Sequence, residues 1–237
     1  MLDGISTGRT RVLDLAHAIN DRLVPWPGDQ RTFEAQVNAS FEKDGYYTRS
    51  FWMLEHYGTH LDAPIHFVRG AATLEQLPPQ QFFGPCVVLD VRVQAAADPD
   101  FAAPVTVIDD WESRHGEIPA GAIVLLRTGW VSRWPDARLY RNQDAAGRMH
   151  FPGFSAAAVE RCIRRKANGI GCDTMSVDVG ASQDFPVHLL TGNAGLYHLE
   201  NLADLGELPE SGAWLVAAPI KLEGGSGGPV RVFALLP

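Results

Sequence analysis

The segment EHYGTHLDAPIHF, residues 55–67, carries His56, His60, Asp62 and His66 in a chain of 237 residues that has only eight histidines. Imidazoles and carboxylates hold borderline divalent cations and move protons near neutral pH. All four positions are even-numbered, so in an extended chain they face the same way. A straight strand does not gather them, because at about 3.3 Å per residue His56 and His60 stand roughly 13 Å apart. A helix would bring i and i+4 together, but Gly58-Thr59 and Pro64 interrupt one. What remains is a bend at Gly58, which has no Cβ to obstruct it. The bend folds His56 back towards His60 and leaves Asp62 on the same face. Two imidazoles and a carboxylate with open coordination positions suit Zn, Mn or Fe(II). Such a cation brings the pKa of bound water down to about 7 and so makes a nucleophile. His66, beyond Pro64, has an ordinary pKa of about 6.5 and is the expected catalytic proton carrier.

The elements that must position these groups read mostly as strands. Short runs rich in Val, Ile or Leu cover 11–16, 85–93, 122–130, 169–178, 213–222 and 230–237, each bounded by Gly, Pro or Asp. The clearest helix is 155–168, capped by Ser155 and ended by Gly169, with Val159, Cys162, Ile163 and Ala167 forming an apolar stripe. Shorter helices are expected over Asp109–His115 and over Leu74–Leu77, before Pro78-Pro79. Many strands with few helices predict an α/β or α+β fold, and no linker divides the chain, so residues 1–237 are expected to be a single domain.

The segment fits the HxGTHxDxPxH signature at His56, Gly58, Thr59, His60, Asp62, Pro64 and His66. In this it resembles the cyclase family of metal-dependent hydrolases, which includes bacterial kynurenine formamidases and isatin hydrolases. WPGD (26–29), VLLRTGW (124–130), GIGCDTMSVD (169–178) and PIKLEGGSGGPVRVFAL (219–235) extend the resemblance over most of the chain. It implies an α/β, swivelling β/β/α-type domain with a mixed sheet, assembled as a homodimer or larger homo-oligomer. It further implies a second ligand pair, His188 and Glu200, joining His56, His60 and Asp62 around Mn(II) or Zn(II), one or two per subunit. Those two residues act either as direct ligands or as a shell around them. His198 is then left to the surface or to that outer shell.

The reaction implied is hydrolysis of a small aryl or cyclic amide of the isatin or N-formylkynurenine type, within tryptophan or indole breakdown. His66 would carry the proton to the leaving nitrogen. An aromatic slot is required, for which Trp26 and Phe185 are the candidates. GGSGGP (224–229) lacks the ending of a phosphate-binding loop and reads as a turn between strands. Its Ser226 could reach the site. The alternatives are a lactone or cyclic ester hydrolase, with the same metal-water step, and a non-catalytic, metal-stabilised binding protein with closed coordination.

Composition limits the other classes. A net charge of -8 and a pI near 5.4 speak against a nucleic-acid partner. The three cysteines form no CxxC pair and read as small buried residues. Neither a secretory leader nor an apolar run of about 18 residues is visible, so a cytoplasmic location without membrane contact is expected.

Overall fold

The computed structural model describes residues 2–29 and 31–236. Its strands, in chain order, are β1 Arg11–Asp14, β2 Phe33–Ala39, β3 Thr48–Met53, β4 His60–Asp62, β5 Phe83–Asp90, β6 Ala102–Ala103, β7 Ile123–Arg127, β8 Gly153–Phe154, β9 Gly169–Cys172, β10 Tyr197–Glu200, β11 Trp214–Pro219 and β12 Gly227–Leu236. Eight of them form one mixed sheet in the order β1-β12-β11-β5-β7-β9-β10-β4, and β12 also pairs with β4, which closes the sheet on itself as a barrel. The strands β5, β7, β9 and β10 run parallel to one another, and the remaining pairs are antiparallel.

The parallel part is buried on both faces, which explains its unbroken apolar runs. Ile123 and Leu125 of β7 turn into a core shared with Leu61, Leu199, Leu215 and Val232. Their neighbours Val124 and Leu126 face a second core built with Ile108 and Trp111 of the helix Val105–His115 and with Val159 and Cys162 of the helix Ala156–Arg164. The mixed α/β architecture with few helices is the one expected. All three cysteines are buried and free. Among the described residues no helix is long and apolar enough to cross a membrane.

Several boundaries differ from expectation. The helix capped by Ser155 ends at Arg164, because Lys166 takes a left-handed φ of 58° and the chain turns to bond Asn168 N–H to Ala122 O. The expected strand 169–178 stops at Cys172, where Asp173 turns its carboxylate to the backbone N–H groups of Thr128 and Gly129. The helix expected from Asp109 begins at Val105, directly after Pro104, while Leu74–Gln76 is a single 3-10 turn. The end of the run 230–237, Pro237, lies outside the described residues. β2 and β3 form a hairpin separate from the main sheet, and its last residue, Met53, leads into Leu54–His56.

Candidate metal centre

Gly58 makes the expected bend, with φ 68°, and a Cβ there would also strike Leu23 Cδ1 at 2.7 Å. After the bend, His60 and Asp62 lie on β4 with Leu61 between them facing the core. The neighbouring strand β10 sets Glu200 opposite His60 and His198 opposite Asp62. Directly paired residues project to the same face, so two strands deliver four donor groups to one place. On the other edge of β4, Asp62 pairs with Gly227 of β12.

His188 arrives from the first turn of the helix Pro186–Asn193. Asp178 accepts the backbone N–H groups of Val187 and His188 at 3.0 and 3.1 Å, and His188 Nδ1–H donates to it at 2.6 Å. This one carboxylate caps the helix and turns His188 Nε2 towards Asp62 Oδ2 (3.5 Å) and Glu200 Oε1 (3.4 Å). Similarly, His60 Nδ1–H donates to Gly58 O, which leaves Nε2 at 3.1 Å from Asp62 Oδ1 and 3.5 Å from Glu200 Oε2. His198 is hydrogen-bonded through Nε2 to Thr191 Oγ1, and its Nδ1 stands 3.7 Å from Asp62 Oδ2. His56 Nδ1 lies 2.7 Å from Asp62 Oδ1, and its ring stacks on His66 with centroids 3.9 Å apart.

These groups fit a divalent cation. Asp62 Oδ2 and His198 Nδ1 are buried and have no hydrogen-bond partner. Burying such atoms unpaired is costly. Asp62, His188, His198 and Glu200 bring donor atoms within 4.8 Å of one another, and His56, Asp62 and His66 do the same. Ligand atoms about 2.1 Å from a tetrahedral cation stand roughly 3.4 Å apart, which matches the 3.4–3.7 Å separations around Asp62 Oδ2 and Glu200 Oε1.

The electrostatics point the same way. Burial by itself would raise the pKa of Asp62, but the charges of His56 and His60 pull it well below the usual range. Burial would lower that of His60, but Asp62 and Glu200 raise it to about 9. The carboxylates of Asp178, Asp62 and Glu200 likewise raise His188 against its burial. His198 is pushed down by burial and by His188, and His66 is lowered to about 4 mainly by burial.

The groups surround the end of a cavity of about 550 Å³, whose walls include Trp26, Phe67, Met175 and Phe185. Phe185 packs between Trp26 and Phe67, with ring centroids at 6.4 and 5.1 Å. Ser226 does not line this cavity. It stands behind His56, bonded to Nε2 at 2.8 Å. The structure therefore brings together His56, His60, Asp62, His66, His188 and Glu200, with Trp26 and Phe185 on the wall. His198, expected at the surface or in an outer shell, is buried beside Asp62. Its signal was its position two residues before Glu200, on the same face of the strand. Asp178 and Glu55, which orient other groups, gave no comparable signal.

Residues 13–179 match the model of the family described as "Putative cyclase". The chain is similar to an isatin hydrolase from Roseibium aggregatum, 34% identical over 98% of this chain and 94% of that one. It is also similar to a kynurenine formamidase from Salinibacter ruber, 28% identical over 93% and 95% of the two chains. Among solved structures, isatin hydrolase A from Ralstonia solanacearum aligns with a TM-score of 0.92 at 35% identity, covering 100% of this chain and 95% of that one.

Proposed function

The chain belongs to the cyclase family of metal-dependent hydrolases, and we propose that it opens the C–N bond of a neutral, planar aromatic amide of the isatin type. The cavity lining carries this choice. Among the described residues it holds the carboxylates of Asp29, Glu55 and Glu200 and no Lys or Arg. An amino-acid substrate such as N-formylkynurenine brings an α-carboxylate for which the described lining residues offer no Lys or Arg. An uncharged lactam has no such conflict, and the rings of Trp26, Phe67 and Phe185 suit its faces.

Within this reading His56, His60, Asp62, His188, His198 and Glu200 hold Mn(II) or Zn(II), one or two ions per subunit. When bound, the ion polarises the amide carbonyl and acidifies water at neutral pH. The aromatic wall fixes the plane of the substrate. Water adds to the carbonyl carbon, the C–N bond breaks, and the product is a carboxylate with a free aniline. His66, on the cavity wall and stacked on His56, is placed to carry the proton to the leaving nitrogen. The same reading takes residues 1–237 as one cytoplasmic domain that acts as a homodimer or larger assembly. Val37 and Phe51, exposed on the β2–β3 hairpin, support the assembly.

A second reading has one observation in its favour. Ser226 Oγ, His56 and Asp62 follow one another at 2.8 and 2.7 Å, the order of a serine-hydrolase triad. Against it, the Ser226 hydroxyl donates to Glu55, and a triad gives no task to His188, His198 and Glu200.

Turnover of isatin and N-formylkynurenine should be followed with added Mn or Zn, and again after chelation. The expected result is ring opening of isatin that chelation abolishes, with N-formylkynurenine slower. No turnover of either substrate with added ion overturns the proposal. Activity that survives chelation and is lost to a serine-directed sulfonyl fluoride favours the triad instead.

A further inference from the structure

We propose that Asn201 and Thr59 form a positioning brace that holds the bend at Gly58 against the end of β10 and so keeps His60 opposite Glu200. The inference deepens the metal-centre reading above and rests on it. His60 opens β4 and Glu200 closes β10, and the two residues pair across the ladder. One step further along, the rung would join Thr59 to Asn201. At that position side chains take over from the backbone.

The Thr59 hydroxyl donates to Asn201 O at 2.7 Å and accepts the backbone N–H of His17 at 2.9 Å. In return Asn201 Nδ2 donates to Gly58 O at 3.2 Å. The bonds thus run in both directions between the same two segments. A carbonyl only accepts, so the amide NH2 must face Gly58 O, and Asn201 Oδ1 turns to the Tyr140 hydroxyl at 3.1 Å. Asn201 N–H donates to Thr174 O at 2.9 Å. Thr59, Tyr140 and Asn201 are all buried. Asn201 also takes a left-handed φ of 53°, which asparagine enters more readily than most residues with a side chain. Residue type therefore matters there twice, for the backbone and for the amide.

The brace acts on the ligand groups through short paths. Gly58 O, held by Asn201, lies 2.9 Å from His60 Nδ1, so the ring of His60 rests against that carbonyl. Glu200 directly precedes Asn201. Any drift of the bend away from Asn201 changes the 3.5 Å separation of His60 Nε2 and Glu200 Oε2. On the other side of the bend, Val230 N–H donates to Thr59 O at 3.2 Å from β12. The two side chains supply the matching restraint towards β10. Groups that orient metal ligands in this way commonly change metal affinity by about 10–100-fold.

The test compares wild type, Asn201→Gly, Thr59→Val and Thr59→Ser. Asn201→Gly keeps the left-handed turn and the backbone groups but loses the amide. Thr59→Val keeps the shape but loses the hydroxyl, and Thr59→Ser restores it. Affinity for Zn or Mn is measured by competition with a chromogenic chelator, and crystal structures of the metal-free proteins give the His60–Glu200 separation. Asn201→Gly and Thr59→Val are expected to bind about 10–100-fold more weakly, with that separation widened. Thr59→Ser should match wild type in both. Because affinity is read on folded protein, a side chain that serves stability alone would leave it unchanged. Unchanged affinity in Asn201→Gly or Thr59→Val, a Thr59→Ser as weak as Thr59→Val, or an unaltered separation overturns the inference. Either of the two disruptive variants decides the matter should the other fail to fold. If wild type binds no divalent cation, the metal centre itself is refuted, and the His60–Glu200 separation still decides the brace.

Discussion

Replacing Asp62 by Asn tests the centre with little change of shape. Its carboxylate oxygens lie 2.7, 3.1, 3.5 and 3.7 Å from nitrogens of His56, His60, His188 and His198. Any cation shared by those nitrogens is therefore beside the carboxylate. At an effective dielectric of about 20, a unit charge pair at about 4 Å is worth about 4 kcal/mol. By that measure the charge lost in Asp62→Asn costs about a thousandfold in affinity. Bound at about a hundred times its Kd, an ion stabilises wild type by about 2.7 kcal/mol. For a chain of this size that raises the melting midpoint by roughly 5–11 °C. At the same ion concentration Asp62→Asn should gain nothing measurable while still melting cooperatively without metal. Thermal scans of both proteins, with chelator and with Mn or Zn, read the difference. The reasoning fails if wild type shows no ion-dependent rise, or if Asp62→Asn shows the same rise.

Other consequences can be checked directly. Phe185→Ala removes a ring from the cavity wall, and a buried aromatic side chain is worth about 1.5–3 kcal/mol. KM for isatin should then rise by about 10–100-fold with kcat nearly unchanged, and an unaltered KM argues against the aromatic slot. Gly227→Ala places a Cβ at 2.5 Å from His56 Cε1 and 2.7 Å from Leu61 O. Urea denaturation should show a loss of about 1–3 kcal/mol, and wild-type stability would mean that the strand shifts freely. Burial tends to raise the Asp90 pKa, but hydrogen bonds and charges from Arg92 and Arg127 outweigh it and hold it at about 2, against an ordinary value of 3.8. The folded value is depressed, so its contribution is present above the ordinary value and is lost as pH falls through about 2. Asp90→Asn should remove that part of the acid sensitivity in denaturation series across this range. An identical pH profile would show that the ion pairs carry no stability.

The parts legible in the sequence are those in which local chemistry and local structure coincide. His56, His60 and Asp62 lie within seven residues, and Gly58 announces the bend between them. The β5, β7 and β9 runs are visible because strands buried on both faces must be apolar throughout. β10 escaped notice because Tyr197–Glu200 is four residues long and devotes His198 and Glu200 to the site. The hairpin of β2 and β3 was missed for a related reason: it is exposed along most of its length, so no burial pattern marks it. His198, Asp178 and Glu55 acquire their tasks from partners far along the chain: Asp62, His188 and Ser226. No spacing rule expresses that kind of relation.

The closure of β4 against both β10 and β12 has a consequence for synthesis. Asp62 takes one backbone neighbour from His198 and the other from Gly227. During translation the HYGTHLD segment emerges well before its flanking strands, which lie far along the chain from it. Through most of its birth the chain holds an unclasped set of imidazoles and acids, and pairings this distant form slowly. The strands that shut the ring are made long after the residues whose chemistry they enclose.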